Sequence, residues 1–302
     1  MKYRLTHTTT YEYESLVSHG RHVIRKRPRN LVHQSIVRTA LQTEPRPSWR
    51  TSTRDYFQND VDTVEVIEPH DRFVVTALSE LEVLSRPLDM SSPGLQRSWE
   101  SVRDQLERDP SAFPAREMMF DSPLIRRSST LFNYATPSFP AGRPLIEAII
   151  DLNARIHRDF AYDPHATDIA TPLDQVMAQR LGVCQDFAHV AVGALRAVGL
   201  AARYVSGYLE TMPPPGTPRL VGADASHAWA AVYFPDEGWI AFDPTNNLLP
   251  SEQHIVVAWG RDFSDVSPLR GVVLGGGRHT VRVGVDVVRI GTESLPPAPA
   301  PK

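Results

Sequence analysis

The apolar residues of this chain change period partway along, and that change constrains the fold more than any other feature. Up to about residue 85 they alternate. YRLTHTTTYEY, VDTVEVIEP and RFVVTALSELEVL each put every second side chain on one face, the period of a strand. Turn residues at Gln58-Asn59-Asp60 and Glu68-Pro69 separate these runs. From about 140 the spacing lengthens. Leu145, Ile149, Leu152 and Ile156 recur at i, i+4, i+7 and i+11, after a proline suited to a first helical turn. Thr171-Pro172 opens a second helix with Leu173, Val176 and Met177 inward. After Gly182, the residues Phe187, Val190, Ala191, Ala194, Leu195 and Val198 stripe a third, which Gly199 ends. The period then returns to two in AARYVSGYL, HAWAAVYF and WIAFDPT, and later in HIVVAW and HTVRVGVDVVRI.

Grouped helices followed by an antiparallel sheet make an α+β core, and the opening strands make an N-terminal antiparallel β-domain. The expected division is an N-terminal β-rich domain at 1–87 and a mixed helical linker region at 88–139. A core at 140–250 follows, then C-terminal strands at 251–293 packing on the core or the N-terminal domain. The linker carries a helix around Leu95–Leu106 and breaks at Pro110 and Pro114. The tail SLPPAPAPK at 294–302 reads as disordered. The glycines Gly275-Gly276-Gly277 lack the Lys-Ser/Thr of a phosphate loop and read as a hairpin turn.

A net charge of −3 gives no reason to expect nucleic acid or an anionic membrane as partner. The basic run RHVIRKRPR at Arg21–Arg29 is expected to be a solvated strand or loop. The opening residues have no apolar stretch of signal-peptide type, and no run is long enough to span a bilayer, so the cytoplasm is the expected location. One cysteine excludes an intrachain disulfide or a multi-cysteine zinc site. The eleven histidines show no close ligand pairs at helical spacing, so neither a metal nor a cofactor is expected.

That single cysteine, Cys184, falls at the start of the third helix. Free N–H groups and the macrodipole there favour a thiolate, and the Cys184 amide could serve an oxyanion. A small buried core thiol is the alternative for the residue taken alone. His227 opens a strand beside the long proline-rich loop Pro213–Ala225, a suitable place for a base. Asp243 follows Trp239-Ile240-Ala241-Phe242 in WIAFDPT. There it either orients an imidazole or caps its own Asp-Pro-Thr-Asn turn. A three-residue connection at 235–237 would oppose Asp243 to Trp229, on the face of His227. A four-residue one would separate them. Trp229 shares that face and reads as site wall or core. His189 reads as a packed or capping histidine, and Asp186 as first-turn charge complementing the helix dipole.

Gly182-Val183-Cys184-Gln185-Asp186-Phe187-Ala188-His189, then Ser226-His227-Ala228-Trp229, then Trp239-Ile240-Ala241-Phe242-Asp243-Pro244-Thr245 resembles the transglutaminase-like superfamily. The likeness is to its bacterial branch of candidate cysteine proteases, which carries a β-rich N-terminal region. Gly260-Arg261-Asp262-Phe263-Ser264-Asp265-Val266 is similar to that branch's C-terminal segment. The resemblance implies a papain-like, transglutaminase-like core with Cys184 as nucleophile, His227 as general base and acid, and Asp243 as orienter. It implies a cysteine-dependent amide hydrolase acting on a protein or peptide through a thioester. Acyl transfer to an amine, as in a protein-glutamine transglutaminase, and a non-catalytic interaction protein on the same fold are the alternatives. A side-chain oxyanion donor upstream of the cysteine could be Tyr162 or Gln179. The loop at 210–226 is expected to shape access.

Overall fold

A computed structural model describes residues 1–85, 87–210 and 226–291. The tail at 294–302 and the loop at 211–225 lie outside the described residues. Five strands come first: β1 (Lys2–Ile24), β2 (Gln34–Glu44), β3 (Trp49–Arg54), β4 (Asp60–Val66) and β5 (His70–Val83). Helices α1 (Trp99–Arg108), α2 (Phe113–Arg116), α3 (Ser129–Ala135) and α4 (Leu145–Asp159) follow. The short β6 (Ala161–Tyr162), α5 (Leu173–Gln179), the short β7 (Leu181–Gly182) and α6 (Cys184–Ala197) come next. The chain then forms β8 (Ala202–Leu209), β9 (Ser226–Phe234), β10 (Gly238–Phe242), β11 (His254–Gly260), α7 (Phe263–Val266), β12 (Leu269–Gly275) and β13 (His279–Arg289). The α+β architecture expected from the periods is the one observed.

The core sheet is antiparallel in the order β10-β9-β8-β11. Alternation sorts β9. Ala230, Val232 and Phe234 join the helices in one apolar cluster, while Trp229 and Ala231 join Val205 on the opposite face. Helix α6 packs on the first face with Phe187, Val190, Ala191, Ala194 and Leu195 all buried, as its stripe predicts. Arg196 of α6 is buried too. It donates to the carbonyls of Met118, Ala202 and Arg261, so one guanidinium ties the end of α6 to the linker, the start of β8 and the residue after β11.

The seven-stranded sheet runs β2-β5-β1-β4-β3, with β12 and β13 also on β1. β13 pairs with residues 3–13 of β1 and β12 with residues 17–24. Both therefore run the same way along one bent partner, and Gly275-Gly276-Gly277 is not the hairpin turn expected. It is a kink that follows the bend of β1. All three glycines have positive φ, and a Cβ on Gly275 would lie 2.5 Å from the Leu16 carbonyl oxygen.

The basic run also departs from expectation. Instead of a solvated segment, Lys26 and Arg29 are buried. Arg25 pairs with Asp55 at 3.0 Å and Arg27 with Asp62 at 2.9 Å. Lys26 Nζ donates to Thr9 Oγ1 at 2.6 Å, and Arg29 donates to Asn59 Oδ1. Arg21 is exposed as expected, but the other four cations are held inside the molecule by Asp55, Asp62, Thr9 and Asn59.

The N-terminal region also closes the free edge of the core sheet. The side-chain amide of Gln34 accepts from Val256 N at 2.9 Å and donates to Val256 O at 2.8 Å. Asn59 does the same to Trp259, at 3.0 and 2.9 Å. Each fully buried amide stands in for one residue of a neighbouring strand.

Gly207 of β8 lies opposite His227. A Cβ there would stand 2.0 Å from the Ile255 carbonyl oxygen and 2.6 Å from the Trp229 ring. Gly207→Ala should lower the free energy of unfolding by roughly 3 kcal/mol, since backbone must move to admit it. Gly142→Ala, with nothing within 4 Å but a φ of +76°, should cost only about 1 kcal/mol. Denaturant midpoints of the two variants would check the difference.

Candidate active site

Two backbone devices hold Cys184 at the first turn of α6. The carboxylate of Asp186 reaches back to accept from Val183 N at 2.8 Å, with Thr167 Oγ1 donating to the same oxygen at 2.6 Å. Asp186 is in the first turn as expected, and it is also a buried cap; burial raises its pKa, and these two bonds partly offset the rise. A Cβ on Gly182 would lie 2.6 Å from that carboxylate oxygen, so only glycine lets the cap close. Parallel pairing of β6 with β7 then brings Tyr162 alongside Gly182. Burial and the neighbouring Cys184 together raise the Tyr162 phenol. Gln179, at the end of α5, is exposed.

His227 and Asp243 meet as a three-residue connection requires. Phe234 pairs with Gly238 and Phe242 with Ala230, which leaves Asp243 opposite Trp229. His227 Nε2 lies 2.7 Å from Asp243 Oδ2, and Cys184 is near enough to contribute to the raised His227 pKa. With Nε2 on the carboxylate, Nδ1 is the nitrogen left for sulfur. Cys184 is half-buried, His227 is buried and Asp243 has no exposed surface.

The two readings of Asp243 turn out to be compatible. Its Oδ1 accepts the amides of Thr245 and Asn246 at 3.0 and 3.3 Å, capping its own turn. Its Oδ2 takes the imidazole. The turn is anchored from α4 by Asn153. In the amide orientation that satisfies both its atoms, Asn153 donates to Asp243 O at 3.1 Å and accepts from Leu248 N at 3.2 Å.

Two further groups converge on Oδ2 that the sequence reading did not single out. His254 Nε2 lies 3.1 Å away, and Asn246 Nδ2 donates at 2.7 Å. His254 opens β11 as His227 opens β9, a lone polar residue before an apolar strand, and that shared position was the available signal. The ligand atoms of His227, Asp243 and His254 lie within 4.8 Å of one another, so here the histidines are not scattered as their spacing suggested. Hydrogen bonds already account for this cluster.

The electrostatics follow from these contacts. Burial disfavours the His227 imidazolium, but Asp243 and Cys184 outweigh it and raise His227 to about 9. Burial would likewise raise Asp243, yet the bonds from His227, His254 and Asn246 hold it well below the usual carboxylate range. His189 stands apart from this network. Its Nε2 accepts from Phe263 N at 3.2 Å, and burial lowers it to about 4. Trp229 proves to be a partition. Its indole is buried and makes an edge contact with His254, with ring centres 5.2 Å apart, and the His227 ring is 5.8 Å away.

Known proteins share this arrangement of sequence and fold. The profile of the transglutaminase-like superfamily matches residues 136–244, and that of the bacterial transglutaminase-like N-terminal region matches residues 3–82. An uncharacterised protein of Mycobacterium tuberculosis is 41% identical over 306 residues, covering 97% of this chain and 95% of its own. A protein-glutamine gamma-glutamyltransferase of Pseudomonas aeruginosa is 35% identical over 124 residues, 38% of this chain and 19% of that protein. The crystal structure of a candidate cysteine protease from Cytophaga hutchinsonii superposes with a TM-score of 0.76 at 20% identity, covering 98% of this chain and 93% of that one. With the core and the N-terminal region both matched, the chain belongs to the transglutaminase-like superfamily.

Proposed function

We propose that the chain is a cysteine-dependent amide hydrolase acting on a peptide or protein. The observation that carries this reading is the buried His227–Asp243 hydrogen bond with Cys184 near enough to raise the same imidazole. Cys184, as thiolate beside the His227 imidazolium, attacks the amide carbonyl carbon, and the carbonyl π pair moves onto oxygen. The Cys184 amide, unpaired at the first turn of α6, donates to that oxyanion. As the tetrahedral intermediate collapses, the C–N bond breaks and His227 gives its proton to the departing amine, leaving a thioester. His227, now neutral, takes a proton from water. The hydroxide displaces sulfur, restoring the Cys184–His227 pair and giving a carboxylic acid that loses its proton to solvent or to the released amine. Asp243 keeps the imidazole in the tautomer and orientation that both proton transfers need.

Acyl transfer to an amine is the second reading, favoured by the Pseudomonas aeruginosa relative. The two share every step up to the thioester. They separate when a glutamine-containing peptide is incubated with the protein, with and without a primary amine such as cadaverine. Intact-protein mass spectrometry should detect the peptide acyl on wild type and nothing on Cys184→Ala. Released carboxylate as the main product with amine present supports hydrolysis. Amine adduct as the main product supports transfer. Absence of any acyl adduct or turnover across such peptides would overturn both.

The rate of acylation should fall as pH rises through about 9, where His227 loses the proton it must donate to the amine. Asp243→Asn removes the attraction that holds the imidazolium. The upper limb should then move below 9, and the acylation rate should drop roughly 10²–10⁴-fold. Iodoacetamide labelling reports on the ion pair directly. At neutral pH wild type should alkylate about tenfold or more faster than His227→Ala, and equal rates would remove the case for the pair.

A further inference from the structure

Opposite α6, the described residues leave the outer face of the core sheet unfilled. A cavity of about 670 Å³ lies between this face and the chain segments at 31–33, 84–85 and 87–90. That volume suits a drug-sized or dipeptide-sized molecule. Its floor is aromatic, with Trp229, Trp239 and Trp259 contributed by three different strands. Apolar side chains stand exposed around it: Val32 is 92% exposed, Leu84 53% and Met90 41%. Such a rim is costly in water unless something apolar covers it.

One charged group interrupts the aromatic floor. The guanidinium of Arg203 in β8 lies 3.8 Å from the ring centre of Trp259 and 4.3 Å from that of Trp239. Its Nε is buried without a hydrogen-bond partner, and Arg203 makes no ion pair among the described residues. Arg29, itself 3.5 Å from the Trp259 ring centre, adds a second positive charge nearby. Burial, and then Arg29, disfavour the Arg203 cation, yet arginine keeps its proton, so this cost stands until an anion relieves it. The acidic residue on the wall, Glu237, is already engaged by the hydroxyl of Ser92. Trp259 and Trp239 pack against the guanidinium, which lines the cavity with an Nε–H that lacks an acceptor. A carboxylate is such an acceptor and can take two parallel bonds from a guanidinium.

We propose that this cavity is a binding site for a small carboxylate with an aromatic or branched apolar body, its carboxylate on Arg203 and its body against Trp229 and Trp239. The site is separate from the Cys184 thiol, although the two share a wall. Trp229 and His254 line the cavity, and His254 also bonds Asp243. The proposal does not rest on the catalytic reading.

The test uses the full chain carrying Cys184→Ala, so that binding is measured without turnover. The probes are 3-phenylpropanoate and its neutral amide, 3-phenylpropanamide, titrated by calorimetry and by tryptophan fluorescence. The acid should bind saturably and about tenfold or more tightly than the amide, because only the acid pairs with the guanidinium. Arg203→Met keeps much of the side-chain bulk without the charge. It should bring the acid down to the affinity of the amide while leaving the amide within about twofold of its original value. Trp239→Leu should weaken both probes. Equal affinity of acid and amide in the Cys184→Ala chain, no saturable binding of either, or an acid preference that survives Arg203→Met would each overturn the proposal. Should Arg203→Met fail to fold, the acid-to-amide comparison in the Cys184→Ala chain decides by itself.

Discussion

A single buried oxygen organises the site. Asp243 Oδ2 receives His227 from β9, His254 from β11 and Asn246 from its own turn. A carboxylate with no exposed surface is tolerated only when donors replace the water it has lost. Here they come from opposite sides of the sheet, so removing any strand from its place would strand a charge. The three-residue connection between β9 and β10, the Asn153 anchor in α4 and the bulge that lets β11 lie beside β8 all serve that convergence. In turn the carboxylate raises His227 far enough to remain an imidazolium beside sulfur.

Most of the core could be read from the sequence because its signals are local. The stripes of α4, α5 and α6 each bury one continuous face, so period alone locates them. Cys184 at a helix start, His227 at a strand start and Asp243 at a strand end are likewise features of short segments. The register between β9 and β10 was conditional on one loop length, and that length is the one found.

What the sequence did not reveal depends on distant partners. The cations at Arg25–Arg29 look solvated until β4 supplies Asp62 and the preceding turn supplies Asp55. Gly275–Gly277 resembles a hairpin because nothing nearby says that the next strand continues along β1. His254 acquires meaning only when β11 is laid at the edge of the sheet. The aromatic cavity is assembled from all four strands of the core sheet and several separate connecting segments, and none of its residues forms a motif.

The paired amides of Gln34 and Asn59 carry one more implication. A strand edge normally recruits whatever extended backbone drifts past it, and β11 is such an edge. Its two contact points are occupied by side chains too short to extend the sheet any further. The β-rich N-terminal region therefore covers an edge of the core sheet that would otherwise be open. A core expressed alone, without residues 1–85, would present the backbone of Val256 and Trp259 as an open template for self-association.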